Sequence, residues 1–224
     1  MEDPYRMYLV VRRGAFEELE TGCVLAGAAA VAAVRRFADH PDYAEAVAAW
    51  KERPGKVALR ARGGQWDDVL GDEPHAQAGD LDGAAVLALP PMRRSERSEL
   101  IARKLQAFAS TLADLPEVDE IDADDTLLTY VVNPSITMST GKTMAQVAHA
   151  ATMSSYTGDV EPWIQAGCPA RAVKPKAKAL FDALCADTDA TRLSAKVEDA
   201  GLTEVPPGTI TVLAIPPARP TPPA

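Results

Sequence analysis

Cysteine is scarce in this chain. Three occur in 224 residues, at Cys23, Cys168 and Cys185, with no Cys-x-x-Cys pair among them. That argues against a disulfide framework or a zinc site and suits reduced, structural thiols. Long apolar runs are missing too, and none approaches the roughly 20 residues that a bilayer-spanning helix needs. The opening Met-Glu-Asp-Pro-Tyr-Arg is polar and acidic, without the basic-then-apolar pattern of a signal peptide. The expectation is therefore a cytoplasmic globular protein with no membrane partner. Glycine is absent where a phosphate loop would need it: Gly141-Lys142-Thr143 has no partner glycine at the required spacing upstream, so that reading fails. Surplus positive charge is lacking as well. The net charge of −9 weighs against a nucleic-acid partner.

The charge is unevenly spread. Residues 1–125 hold 15 Lys/Arg against 24 Asp/Glu, whereas residues 126–224 hold 8 of each. All the surplus acid thus lies in the first half. A local basic patch in the second half could draw on Lys142, Arg171, Lys174, Lys176, Lys178, Arg192 and Lys196. Solvated surface cations would look the same in sequence.

The second half reads as alternating strands and helices. Residues 127–132 form a β-branched, apolar strand stopped by Asn133-Pro134. Ser139-Thr140 offers hydroxyl caps to a helix over 142–154. Then come a short helix at 162–166, a strand at 170–174, a helix at 176–186, a strand at 191–198 and a buried strand at 210–215. The proline-rich 216–224 reads as a loose tail. The first half repeats this order more faintly. A strand at 7–11 precedes Thr21-Gly22, which opens an alanine-rich helix to about residue 37. Trp50 precedes a strand at 56–60 as Trp163 precedes 170–174. Val86-Leu87-Ala88-Leu89-Pro90-Pro91 nearly repeats Val212-Leu213-Ala214-Ile215-Pro216-Pro217. The matches keep their order at offsets between 113 and 126 residues, which indicates an internal duplication. The expected fold is α/β, a mixed β-sheet flanked by helices, duplicated as two similar lobes. An amphipathic helix over 93–112 and an acidic, solvated linker over 116–125 are expected to join them, with the boundary near residue 120.

Lys142 contradicts local electrostatics. A cation in the first helical turn opposes the macrodipole at a cost of a few tenths to about 1 kcal/mol when exposed. Such contradictions often mark a site. Gln146 and His149 share its helix face at spacings of four and three. Together with the backbone N–H groups of the helix start, the ammonium would attract an anion or a developing oxyanion. His149, without a Ser or Cys nucleophile signature nearby, reads as structural or supporting. Asp199 ends a strand, Gly201 permits a sharp turn, and Pro206-Pro207-Gly208 stiffens the return, so Asp199 and Thr203 could face one pocket. A capping aspartate and a turn threonine would also fit.

The segments Gly141-Lys142-Thr143-Met144-Ala145-Gln146 and Asp199-Ala200-Gly201-Leu202-Thr203-Glu204-Val205-Pro206-Pro207-Gly208-Thr209, each beside an apolar strand, resemble the peptidyl-tRNA hydrolase type 2 family. The resemblance covers about residues 126–217. It implies hydrolysis of the ester between peptide and tRNA, with Lys142, Asp199 and Thr203 catalytic. Gln146, His149, Gly141, Thr209 and Lys174 would bind substrate, and no metal or cofactor is implied. Three departures stand out. Glu204 replaces a usual glutamine. Proline-rich sequence stands where the family continues into a last helix, for which the 93–112 helix is a candidate substitute. The first half is extra: Cys23 and Gly27 align with Lys142 and Gln146, and the Asp-Ala-Gly and Pro-Pro-Gly-Thr words are missing there. The resulting expectation is a catalytically empty domain over 1–120 and a catalytic one over 121–224, an internal pseudo-dimer that would act on peptidyl-tRNA as a monomer. The alternative is a non-catalytic tRNA-binding or protein-interaction module that keeps the fold.

Overall fold

The structure is a computed structural model that describes residues 3–109, 112–122, 124, 126–157, 160–187, 192–201 and 203–218. Its first lobe runs β1 (Arg6–Arg12), α1 (Leu19–Phe37), α2 (Ala44–Glu52), β2 (Gly55–Ala61), α3 (Gln65–Asp72), β3 (Ala76–Gly79), β4 (Ala85–Ala88) and β5 (Gln106–Ala107). The second runs β6 (Glu117–Val118), β7 (Leu128–Val132), α4 (Thr140–Ser154), α5 (Glu161–Gln165), β8 (Ala170–Pro175), α6 (Lys178–Ala186), β9 (Ala195–Asp199) and β10 (Thr209–Ile215).

Two five-stranded mixed sheets result, ordered β3-β4-β1-β2-β5 and β9-β10-β7-β8-β6. The four main strands correspond one for one. β1 and β2 are parallel, as are β7 and β8. β4 and β10 each run antiparallel to both of their neighbours. Only the short outer strands differ, since β5 is antiparallel to β2 whereas β6 is parallel to β8. Two similar lobes are thus present. Trp50 and Trp163 also make the same bond past their helix: Trp50 Nε1 donates to the Gly55 carbonyl and Trp163 Nε1 to that of Pro169, each at 2.9 Å.

The lobes meet through α1 and α4, which lie between the two sheets. One continuous core contains Met7, Leu9 and Val11 of β1, the alanine face of α1, Met144, Val147 and Ala151 of α4, and Tyr130 and Val132 of β7. α3 covers the outer face of the first sheet through Trp66 and Val69, and α6 that of the second through Phe181 and Leu184. α4 is buried nearly all round, and α1 over 11 of its 19 residues, so α4 in particular shows no strong amphipathic stripe. Small residues let them approach closely. A Cβ on Gly27 would meet the Tyr130 hydroxyl at 3.0 Å and Ala151 Cβ at 3.2 Å.

Three expectations need correction. No helix spans 93–112. A 3₁₀ turn at Arg94–Glu96 and a five-residue π-turn at Leu100–Lys104 precede β5 instead. Leu100, Ile101 and Leu105 must enter the outer core of the first lobe, while Phe108 must enter the shared core on the opposite side of that sheet. One helical face cannot reach both, so tertiary burial overrides helix propensity. It follows that this segment does not replace a last helix. The acidic 116–125 stretch is not wholly a solvated connector either. Glu117 and Val118 pair with Lys174 and Pro175 of β8, and Val118 and Ile121 pack on the outer core of the second lobe. Finally, α1 opens at Leu19, not at Thr21-Gly22.

The other expected elements are present within a few residues of their bounds. Residue 191 of the expected 191–198 strand and residues 219–224 of the expected tail lie outside the described residues. Helices α2 and α3 and strand β3 were not anticipated.

Gly27→Leu should force α1 from α4 and cost about 1–3 kcal/mol. Urea unfolding should still give one transition, at a lower midpoint. Two separate transitions would mean that the lobes unfold independently.

Candidate active site

Ser139 is the N-cap of α4. Its Oγ accepts from Lys142 N at 3.3 Å, and Thr143 Oγ1 donates to its carbonyl at 3.1 Å. Glu204, from the loop after β9, holds this cap: Ser139 N and Oγ donate to its two carboxylate oxygens at 2.6 and 2.7 Å. The glutamate that stands in place of the usual glutamine is therefore bonded to a helix start, where a carboxylate is favourable. Gly141 is buried with its N–H donating to the Phe108 carbonyl at 3.1 Å, and a Cβ there would sit 2.4 Å from that oxygen. Only glycine lets the first-lobe segment cross the start of α4 so closely.

From this start Lys142 reaches β9. Its Nζ donates to Asp199 Oδ2 at 2.5 Å, with the side chains 13 % and 8 % exposed. Gln146 Nε2 donates to the same oxygen at 2.8 Å. Thr211 Oγ1, fully buried on β10, donates to Gln146 Oε1 at 2.7 Å and so fixes which way the amide points. The other carboxylate oxygen of Asp199 accepts from Gly201 N at 2.8 Å, closing a turn in which Gly201 has φ +72°. Every member of the cluster has a partner, as a buried polar network requires. The macrodipole objection to Lys142 is answered by a carboxylate held in its path. Two of the three ammonium N–H bonds remain for another acceptor.

His149 lies one turn further along α4. Burial, and then the nearby cations Lys56 and Lys142, push its pKa down to about 3, so it is neutral near pH 7.

The remaining sequence candidates separate. Thr203 is exposed on the 200–208 loop and contributes no bond to the cluster. Thr209 Oγ1 donates to the Pro206 carbonyl at 2.7 Å and stiffens the turn. Lys174 faces Asp114 at 3.8 Å, on a strand separated from β9 by β7 and β10. Lys176, Lys178 and Arg192 pair with Asp119, Asp182 and Asp187, while Arg171 bonds Thr129 and the Asp122 carbonyl. The basic patch is thus largely a set of local pairs. Among the described residues no group of three His, Cys, Asp or Glu could hold a metal ion, and no helix is long and apolar enough to cross a membrane.

The family model described as peptidyl-tRNA hydrolase PTH2 matches residues 126–221, which take in β7 to β10. A peptidyl-tRNA hydrolase of Thermococcus sibiricus is 34 % identical over 94 residues, covering 39 % of this chain and 80 % of its own length. The chain belongs to the PTH2 family. Similar proteins include the peptidyl-tRNA hydrolases of Thermococcus onnurineus, 35 % identical over 95 residues (39 % and 80 %), and Saccharolobus islandicus, 36 % identical over 104 residues (41 % and 85 %).

Against the PTH2 segment, the first lobe keeps one feature that sequence words alone did not reveal. In strand register Leu213 faces Lys196 as Leu87 faces Gln77, which brings Asp80 to the place of Asp199. Asp80 Oδ1 accepts from the N–H two residues on, that of Asp82, at 3.1 Å, as Asp199 does from Gly201. On α1, however, the residues aligned with Lys142 and Gln146 are Cys23, buried with its thiol pKa pushed up by desolvation, and Gly27. Both lobes thus carry an aspartate turn at this place, and only the second sets a lysine and a glutamine against it. Thr211 and Glu204 were the partners missed in the second lobe, since buried strand threonines and loop glutamates carry no local signal.

His149 generates a pH prediction. Its folded pKa lies below the unfolded value of about 6.5. The stability it contributes is therefore complete above about 6.5 and lost as pH falls toward about 3, at no more than about 1.4 kcal/mol per pH unit. Urea unfolding of His149→Gln should lose less stability between pH 7 and pH 5 than the parent, by about 1–2 kcal/mol. Equal losses would show that His149 does not carry this pH dependence.

Proposed function

We propose that the chain hydrolyses the ester joining a peptide to the 3′ ribose of peptidyl-tRNA and so returns tRNA from stalled translation. The observation that carries this reading is the nearly buried Lys142–Asp199–Gln146 cluster at the start of α4, in a segment similar to proteins named peptidyl-tRNA hydrolase.

An ester is intrinsically labile, so positioning water and stabilising an oxyanion can suffice without a covalent intermediate. The two unengaged N–H bonds of Lys142 would receive the carbonyl oxygen as it becomes negative. Asp199 holds the ammonium in place and orients the attacking water. Thr203, exposed on its loop, would bond the ester only once substrate is present. Water adds to the carbonyl carbon and the bond to the ribose oxygen breaks. One proton of the water ends on the ribose hydroxyl and the other passes to solvent as the peptide acid ionises, giving a free peptide carboxylate and intact tRNA.

In this reading residues 1–120 are a catalytically empty copy and residues 121–224 the working one, so that a monomer in the cytoplasm would present one site per two lobes. The equal strand order supports that division, as does the loss of Lys142 and Gln146 counterparts opposite Asp80.

The test is release of N-blocked aminoacyl groups from tRNA by the purified protein. Lys142→Ala should lower kcat by about 10²–10³-fold, the usual effect of removing one oxyanion donor. Asp199→Asn should also fall well below the parent. A folded parent that binds tRNA and releases nothing would replace the hydrolase with the binding module.

A further inference from the structure

α4 is buried along almost its whole length, and the exceptions form a line. Beyond its first residue only Lys142, His149 and Met153 are partly exposed, at spacings of seven and four that place them on one face with Gln146. The first lobe runs beside that face. Lys56, the second residue of β2, reaches across and donates from Nζ to Thr152 Oγ1 at 3.0 Å, and Thr152 in turn donates to the His149 carbonyl at 2.9 Å. The same ammonium sits 4.4 Å from the centre of the Trp50 ring. Past the end of α4, Tyr156 is half exposed, and Lys51 Nζ lies 5.0 Å from its ring centre.

Lys56 is in an unusual position for a lysine. Burial pushes its pKa well below that of an exposed lysine. Among the described residues it has no carboxylate partner, and a hydroxyl and an indole face are its only polar contacts. Lys56 is partly exposed beside α4, and a cation set against an apolar wall without a counter-charge gains from an anionic ligand. Across the molecule a cavity of about 520 Å³ lies between α1, β3 and the Gly167–Pro169 loop after α5, its lining mostly apolar through Val24, Leu25, Ala28 and Val31, with Arg35 and Gln77 beside them. Beside the exposed line of α4 and its end stand Lys56 and Lys51 instead.

We propose that Lys56 of the first lobe forms a phosphate-binding subsite continuing the Lys142–Asp199 site along α4, and that Lys51 and Tyr156 extend it to hold the single-stranded 3′ end of the tRNA. The proposal rests on the hydrolase reading for the identity of the RNA. The ten residue steps from Lys142 to Thr152 span about 15 Å of helix. A stacked strand, with a phosphate every ~3.4 Å along its axis, covers that length in about four nucleotides. Cations that follow a backbone, ending in an aromatic ring on which a base can stack, form the usual platform for single-stranded nucleic acid. The lobe without a lysine–aspartate pair thus supplies one wall of the substrate track.

The test uses the full chain and two readouts: steady-state hydrolysis of N-blocked aminoacyl-tRNA, and fluorescence anisotropy of a labelled oligoribonucleotide with the tRNA 3′-end sequence. Lys56→Met keeps the stem over Trp50 and removes the charge. It should raise KM about tenfold with kcat within about twofold, and reduce the slope of log Kd against log salt by about one phosphate contact. Lys56→Arg should restore most of the affinity. Lys51→Ala with Tyr156→Ala alters exposed positions and should weaken oligonucleotide binding about fivefold or more, which keeps the test open should Lys56→Met fail to fold. Unchanged KM and salt slope in Lys56→Met, or a fall in kcat alone, would overturn the proposal while the hydrolase reading stands. A parent without hydrolysis whose oligonucleotide binding still depends on Lys56 would overturn the hydrolase reading and leave the subsite standing.

Discussion

The close approach of α1 and α4 is the constraint on which the rest of the structure depends. α1 presents alanine and glycine where it meets α4, and the contact tolerates so little that a single Cβ on Gly27 would touch Tyr130 and Ala151. The other sides of the two helices carry the inner faces of two sheets, so one core is common to both lobes. Neither sheet could shed its neighbour without exposing that core to water. The bidentate pair between Arg35 and Glu161, at 2.7 and 3.0 Å, also spans the lobes, but it is half exposed and such pairs contribute at most about 1 kcal/mol. Hydrophobic packing holds the lobes in place.

That packing decides where chemistry can occur. With α4 enclosed on most sides, its remaining surface is one narrow line beginning at the helix start. There a lysine that should destabilise the helix is held by a carboxylate from β9, which is itself oriented by Gln146, Thr211 and the Gly201 turn. Removing any of these groups would leave another polar atom buried without its partner, and such losses cost more than the bond itself contributes. The network therefore fixes one geometry for the ammonium.

Much of this was legible in the sequence because the signals were local. Ser139 as a cap, Lys142 and Gln146 at a spacing of four, and the turn after Asp199 are all set within a few residues, and the structure joins the two segments. The order of strands was readable for the same reason, and repetition of short apolar words disclosed the duplication. What failed depended on distant partners. Residues 93–112 have helical periodicity, yet Phe108 is claimed by one face of the sheet and Leu105 by the other. Glu204 stood only as a departure from the usual glutamine until Ser139 was found against it. Asp80 was invisible as a counterpart of Asp199, since register across β3 and β4, rather than any shared word, identifies it. Lys56 had no motif at all, and its position follows only from how two lobes meet.

Joining two like lobes in one chain changes what each can become. In a pair of identical subunits every substitution appears twice, once on each side of the axis, so a cation added to one groove is added to both. Here the walls are separate stretches of one polypeptide, and α1 can keep a mostly apolar flank while α4 keeps a line that cations border. Assembly no longer depends on protein concentration either, because the partner is tethered at high effective concentration. The lobe with Cys23 on α1 has no buried lysine to hold there, yet it must keep the surface on which its neighbour folds.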